Sequence, residues 1–240
     1  MPSLRVNISP MKNGEGQLFE TYLDSSTRII CPPELIPAPG QYLLAHASGS
    51  DSPLAVPVFF SDSAPEGFRS APLDSPWHPG THLNLRGPLG RGFLIPTFAR
   101  KVALIVFDDS PARLRGLISI ALKQGAEVVL VSNTVLDDIP EAVEVQPLQA
   151  MFEIYRWADY AAFDVERENL IHLKENFGTL VQAKGGVLSV SKGPRETQVL
   201  VRAPMPCGAL AECGVCALII KHEWKMICKD GPVFEMRELL

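Results

Sequence analysis

The chain lacks most of what would tie it to a surface or a polyanion. No apolar run approaches the ~20 residues needed to span a bilayer. Acidic residues outnumber basic ones, 27 to 22, and the formal net charge is −5. That balance leaves no basic footprint for nucleic acid. The opening stretch, MPSLRVNISPMKNGEG, holds no apolar core of a secretory signal. The expectation is therefore a cytoplasmic protein, with no membrane and no nucleic acid among its partners. No Ser-His-Asp set, paired-carboxylate cleft or phosphate loop can be placed, so no catalytic residue is assigned. No internal repeat or low-complexity tract is visible. A hydrophobic fraction of 46% with 20% charged residues is that of a soluble globular protein. A length of 240 residues fits one or two compact domains and a small appendage.

Cysteine is scarce, five in all, yet four of the five crowd into one tail. Cys207, Cys213, Cys216 and Cys228 are spaced C-x5-C-x2-C-x11-C. Three thiols share a short loop, and the fourth returns after a segment long enough for a hairpin. Four thiolates can hold a [2Fe-2S] cluster, a [4Fe-4S] cluster or a zinc ion. Plant-type [2Fe-2S] proteins use C-x4-C-x2-C with a distant fourth ligand, one residue different in the first gap. Structural zinc prefers two C-x2-C knuckles, and only one is present. Gly208 and Gly214 each follow a cysteine, where glycine lets the backbone turn and aim N–H groups at sulfur. A disulfide framework does not suit reduced thiols. Cys31 stands alone among prolines and reads as a buried thiol.

The run CGALAECGVC followed by CKDGPVF resembles the C-terminal domain of the electron-transfer subunit of dihydroorotate dehydrogenase, in the ferredoxin–NADP reductase superfamily. CKDGPVF is the most specific part. The resemblance implies a [2Fe-2S] cluster on Cys207, Cys213, Cys216 and Cys228. It also implies a flavin-binding β-barrel, an α/β parallel-sheet domain and a small iron–sulfur domain. The expected boundaries are 1–98, 99–195 and 196–240. A role in pyrimidine biosynthesis beside a catalytic flavoprotein dehydrogenase subunit, as a hetero-oligomer, follows from the same resemblance.

Proline is frequent, with 21 residues, and is concentrated between residues 32 and 96. That points to a loop-rich β-domain. Strands are expected near 17–23, 41–45, 54–60 and 81–85, a spacing that suits a barrel. PGQYLLAH and PGTHLNLRGPLGRGF resemble barrel segments of the reductase family. The family's arginine-bearing flavin motif falls on Val56-Pro57-Val58-Phe59, and no arginine precedes Pro57. Guanidinium would neutralise a flavin pyrophosphate, so its absence argues against FAD. Phe59, Phe60 and Ser61 remain candidates to line a flavin pocket, with barrel core as the competing reading. Gly67, Arg69 and Ser70 are the candidates for a flavin phosphate.

Val102–Phe107 reads as a buried parallel strand. Ser110 and Pro111 start a helix that runs to about Gln124 and stops at Gly125. Glu127–Ser132 reads as the next strand, completing a β-α-β unit. The family's glycine-rich phosphate loop is replaced by Asp108-Asp109-Ser110-Pro111, whose carboxylates suit the helix start and repel an anionic cofactor. Its Cys-Gly-Pro turn is replaced by Ala161–Val165. NAD(P)H binding in the family's manner is therefore not expected. A short helix is expected over 166–177 ending at Gly178, a turn over 184–186, and strands at 186–190 and 197–201. ALIIKHEWKMI, between Cys216 and Cys228, alternates like a hairpin and carries Trp224 as a docking surface. The resulting expectation is an electron-transfer subunit, not catalytic alone. The alternative is a non-catalytic partner with a structural or redox-sensing metal site.

Overall fold

The structure, a computed structural model, describes residues 12–107, 110–134, 138–182, 193–221 and 223–240. The first unit is a closed barrel of six strands: β1 (Lys12–Thr21), β2 (Thr27–Ile30), β3 (Tyr42–Ala47), β4 (Val56–Ala64), β5 (Gly67–Ser70) and β6 (His82–Leu89). Their order around the barrel is β1-β2-β5-β4-β3-β6. Alternation sorts the side chains. Leu43 and Ala45 of β3, Val58 and Phe60 of β4, and Leu83 and Leu85 of β6 fill the interior. Tyr42, Leu44 and Phe59 belong instead to a second apolar cluster, shared with the rest of the molecule.

The second unit is a six-stranded sheet built on a parallel core. It contains β7 (Lys101–Val106), β8 (Glu127–Val131), β9 (Val143–Gln146), β10 (Tyr160–Glu166), β11 (Glu196–Arg202) and β14 (Val233–Glu235), in the order β14-β11-β10-β7-β8-β9. The helices are α1 (Ala112–Lys123), α2 (Met151–Trp157) and α3 (Leu170–Gln182). The Ser110 hydroxyl accepts the Ala112 N–H at the start of α1. Gly125 takes φ +73° just past its end, a conformation open to glycine without a Cβ penalty. Phe163 and Phe177 meet edge-on at 5.2 Å, with Tyr155 against both. That aromatic anchor carries α3 through Gly178, where the sequence pattern placed a stop. The helix starts later than expected too, at Leu170, after a short 3-10 turn.

The tail supplies the hairpin β12 (Ala217–Ile220) and β13 (Glu223–Met226), then α4 (Ile227–Asp230), β14 and α5 (Met236–Leu239). β14 pairs antiparallel with β11, so the tail is woven into the main sheet. The buried Gln198 amide ties this seam together. It accepts from Leu94 N–H at 2.9 Å and the Tyr160 hydroxyl at 2.8 Å, and donates to Glu235 at 3.0 Å. Among the described residues no helix is long and apolar enough to cross a membrane. Asp108 and Asp109, the turn at 184–186 and the strand expected at 186–190 lie outside the described residues.

Candidate metal centre

The cysteine loop starts where β11 leaves the sheet and ends on α4. Its backbone is unusual. Gly208, Ala209, Ala211 and Gly214 all have φ between 60° and 70°. For the two alanines this left-handed conformation costs about 1–2 kcal/mol each. Such a series turns successive N–H groups inward, as in an anion-binding nest.

The hairpin brings Cys216 and Cys228 together: Ala217 pairs with Met226, and the Ile227 N–H donates to the Cys216 carbonyl at 3.0 Å. Cys207 and Cys213 lie on the loop before it. Cys213 is exposed and Cys207 half-buried, whereas Cys216 and Cys228 are buried. At Cys207, burial works against the thiolate. The N–H groups of Cys213, Glu212 and Leu210 and the Cys213 thiol outweigh it, pulling the pKa down to about 6. At Cys228, burial and then the Cys216 thiol push it up to about 12, against one N–H from Ala211. Among the described residues, no group of three or more His, Cys, Asp or Glu side chains is drawn together as a single metal ion would need.

The CKDGPVF stretch builds the far wall. Asp230 accepts the Met226 N–H at 2.7 Å and closes the turn that bears Cys228. A Cβ on Gly231 would sit 2.4 Å from the Phe234 ring, so only glycine fits. Val233 and Phe234 are buried in the main core. The barrel clamps this wall. Arg91 N–H donates to the Gly231 carbonyl at 2.7 Å, and a Cβ on Gly90 would lie 2.4 Å from Pro232. The Tyr42 hydroxyl donates to the Cys228 carbonyl at 3.2 Å. On the other side, Arg167 donates to the Val215 carbonyl.

Residues 203–240 match the iron–sulfur cluster binding domain of dihydroorotate dehydrogenase B. The chain carries an iron–sulfur cluster binding domain. Its fold is similar to solved ferredoxin reductase-like proteins. One is an NADH-dependent reduced ferredoxin–NADP oxidoreductase studied for flavin-based electron bifurcation, with TM-score 0.68, 19% identity, and coverage of 93% of this chain and 88% of that one. Another is a ferredoxin–NADP+ reductase from Neisseria gonorrhoeae solved with bound FAD and NADP, with TM-score 0.54, 10% identity, and coverage of 80% and 98%. A third is the ferredoxin reductase of carbazole 1,9a-dioxygenase, with TM-score 0.53, 17% identity, and coverage of 74% and 65%.

The six candidate flavin contacts fall on the β4–β5 hairpin. Phe60 pairs with Ser70 across the strands and stacks on Phe68 at 6.0 Å inside the barrel. Phe59 faces outward, 5.4 Å from Tyr42. Ser61 is buried beneath α1, and its hydroxyl has no hydrogen-bond partner. A Cβ on Gly67 would meet the Ile29 carbonyl at 1.9 Å. The Ser70 hydroxyl lies 2.8 Å from that of Thr27 and donates to Ala71 O. Arg69 is held by Ser26 at 2.6 Å and Asp24 at 2.9 Å, over the Tyr22 ring. β2 and β5, which the sequence reading did not place as strands, are why Gly67–Ser70 forms barrel wall and not a loop.

Ala161–Val165 forms most of the central strand β10. Its Asp164, 1% exposed, receives Arg202 Nε at 2.7 Å and Arg113 Nη1 at 3.3 Å. Arg202 also holds Glu166 at 2.8 Å. This network lies at the carboxyl ends of the parallel strands, where doubly wound sheets bind dinucleotides. Sequence reading missed it. Asp164 sits in an apolar run, and its two arginines come from α1 and from the end of β11. α1 itself lies directly on the barrel. A Cβ on Gly116 would meet the Phe60 ring at 2.5 Å, and Arg115 pairs with Asp62 at 3.0 Å.

Proposed function

We propose that the chain is the iron–sulfur electron-transfer subunit of a flavoprotein dehydrogenase of the dihydroorotate dehydrogenase type, acting in pyrimidine biosynthesis. The observation that carries this is the gathering of four cysteines on one loop, hairpin and short helix, within the segment that matches an iron–sulfur cluster binding domain. Two pairs suit a [2Fe-2S] core, with Cys207 and Cys213 on one iron and Cys216 and Cys228 on the other. Zinc would ask all four to converge on one point. Bound there, such a core takes up and returns single electrons. The N–H groups of Leu210, Glu212 and Cys213 stabilise the thiolate on Cys207. The buried pair, walled by Tyr42, Val233 and Phe234, keeps water from the inner side.

The outer pair opens on an apolar surface. Leu210, Val215, Ile219 and Trp224 are all exposed, and Ile219 and Trp224 face each other across the hairpin. Exposed apolar pairs of this kind suit docking, and Leu210 and Val215 flank the exposed Cys213 in sequence. Phe60, Gly67, Arg69 and Ser70 are engaged in barrel packing and pairing, which supports a relay whose flavin belongs to the partner. The Asp164 network supports the absence of a nicotinamide site.

The test is anaerobic purification with iron, sulfide, zinc and released flavin quantified on one sample. About two irons and two sulfides per chain are expected, with no FAD. Stoichiometric FAD would replace the flavin-free part of the reading. Zinc in place of iron would overturn electron transfer. Trp224→Glu should keep iron and stability within about 0.5 kcal/mol while releasing a co-purifying dehydrogenase subunit.

A further inference from the structure

Tyr42 belongs to the barrel by sequence and to the cluster wall by position. It is fully buried. Its ring is fixed from two sides, by Phe59 at 5.4 Å and by Gly90, whose added Cβ would stand 3.1 Å from the ring. Its hydroxyl reaches across to the Cys228 carbonyl at 3.2 Å. Packing alone asks only for the ring, and phenylalanine would supply that. The hydroxyl is the added feature, and it holds the backbone carbonyl of one of the buried cysteines. The phenol O–H is the donor of that bond.

We infer that Tyr42 is a positioning residue for the cluster: its hydroxyl fixes the Cys228 peptide and offsets the negative end of that carbonyl's dipole beside a cluster-bearing cysteine. This rests on the iron–sulfur reading above. Reduction adds one negative charge at the cluster. Offsetting a negative carbonyl end near that charge favours the reduced state, and buried surroundings strengthen the effect. The barrel, which supplies no thiol, thus helps to set the redox poise of the tail.

The experiment compares wild type with Tyr42→Phe, both purified anaerobically, by iron and sulfide content and then by a redox titration followed by electron paramagnetic resonance. Full iron and sulfide are expected in the variant. At the wild-type midpoint, its oxidised-to-reduced ratio should rise about two- to tenfold, the worth of one hydrogen bond. Phe59→Leu, which changes the ring contact and keeps the hydroxyl, should leave the ratio near wild type. An unchanged ratio in Tyr42→Phe, or an equal shift in Phe59→Leu, overturns the inference and leaves the iron–sulfur reading standing. Loss of iron from a variant that unfolds at the wild-type temperature supports it. Joint loss of fold and iron overturns it in favour of packing. A wild-type protein that assembles no iron and sulfide removes the underlying reading and the inference with it.

Discussion

Two polar regions meet near the end of β11, with only residues 203–206 between them, and they treat charge in opposite ways. At the carboxyl ends of the parallel strands, Asp164 receives both Arg113 and Arg202. In the cysteine loop, a strained backbone directs N–H groups at thiols, and one thiol pair stays open to solvent. A region that pairs its carboxylate with its own arginines, Arg113 Nε alone among their buried nitrogens lacking a partner, has little left to bind a ligand. A region that holds donors in a costly conformation is built to receive one.

The sharpest break in this comparison comes from the thiols. Cys228→Ala should abolish iron and sulfide incorporation, read by chemical analysis of the purified chain. Retention of a full complement would mean that the buried pair does not hold the core. Asp164→Ala comes next. It leaves two guanidiniums without their shared carboxylate and should lower stability by about 3–5 kcal/mol in urea denaturation. A loss well below that range would show the arginines reaching water, and these strand ends would be open to an anion after all. Gly116→Ala probes how tightly α1 seals the barrel. A methyl 2.5 Å from the Phe60 ring should cost about 1–3 kcal/mol, exceeding the helix-propensity gain of about 1 kcal/mol. Net stabilisation would show slack between the units.

The smallest effect concerns a third ionic group, on the barrel. Burial acts to raise the Asp24 carboxyl. The Ser26 hydroxyl and N–H and the Arg69 guanidinium outweigh it and hold Asp24 below its ordinary value. A lowered folded pKa contributes stability above the unfolded value and loses it as pH falls through the folded one. Asp24→Asn should therefore flatten the loss of stability below about pH 4, an effect of less than about 1 kcal/mol. Urea midpoints at pH 3 and pH 7 measure it, and equal slopes in both proteins would remove Asp24 from the acid response.

Local signals carried the reading where one segment decides its own fate. The thiol spacing, the start of α1 at Ser110 and its stop at Gly125, and the hairpin after Cys216 all lie in contiguous sequence. What sequence alone did not reveal depends on distant partners. Gly67–Ser70 becomes a strand because β2 and β4 flank it, and α3 passes Gly178 because Phe177 is gripped by Tyr155 and Phe163. Asp164 looked like a replaced turn, since its meaning rests on arginines 51 and 38 positions away.

The short strand β14 carries a further consequence. It covers one side of β11 at Gln198–Leu200, and α4, with Cys228, immediately precedes it. Were the tail to come loose, β11 would become a bare sheet edge, with a row of open backbone donors and acceptors ready to recruit another chain. The wall that shelters the inner thiols is thus also a guard against aggregation. Protein stripped of its tail contacts should scatter light on standing, well before the barrel unfolds.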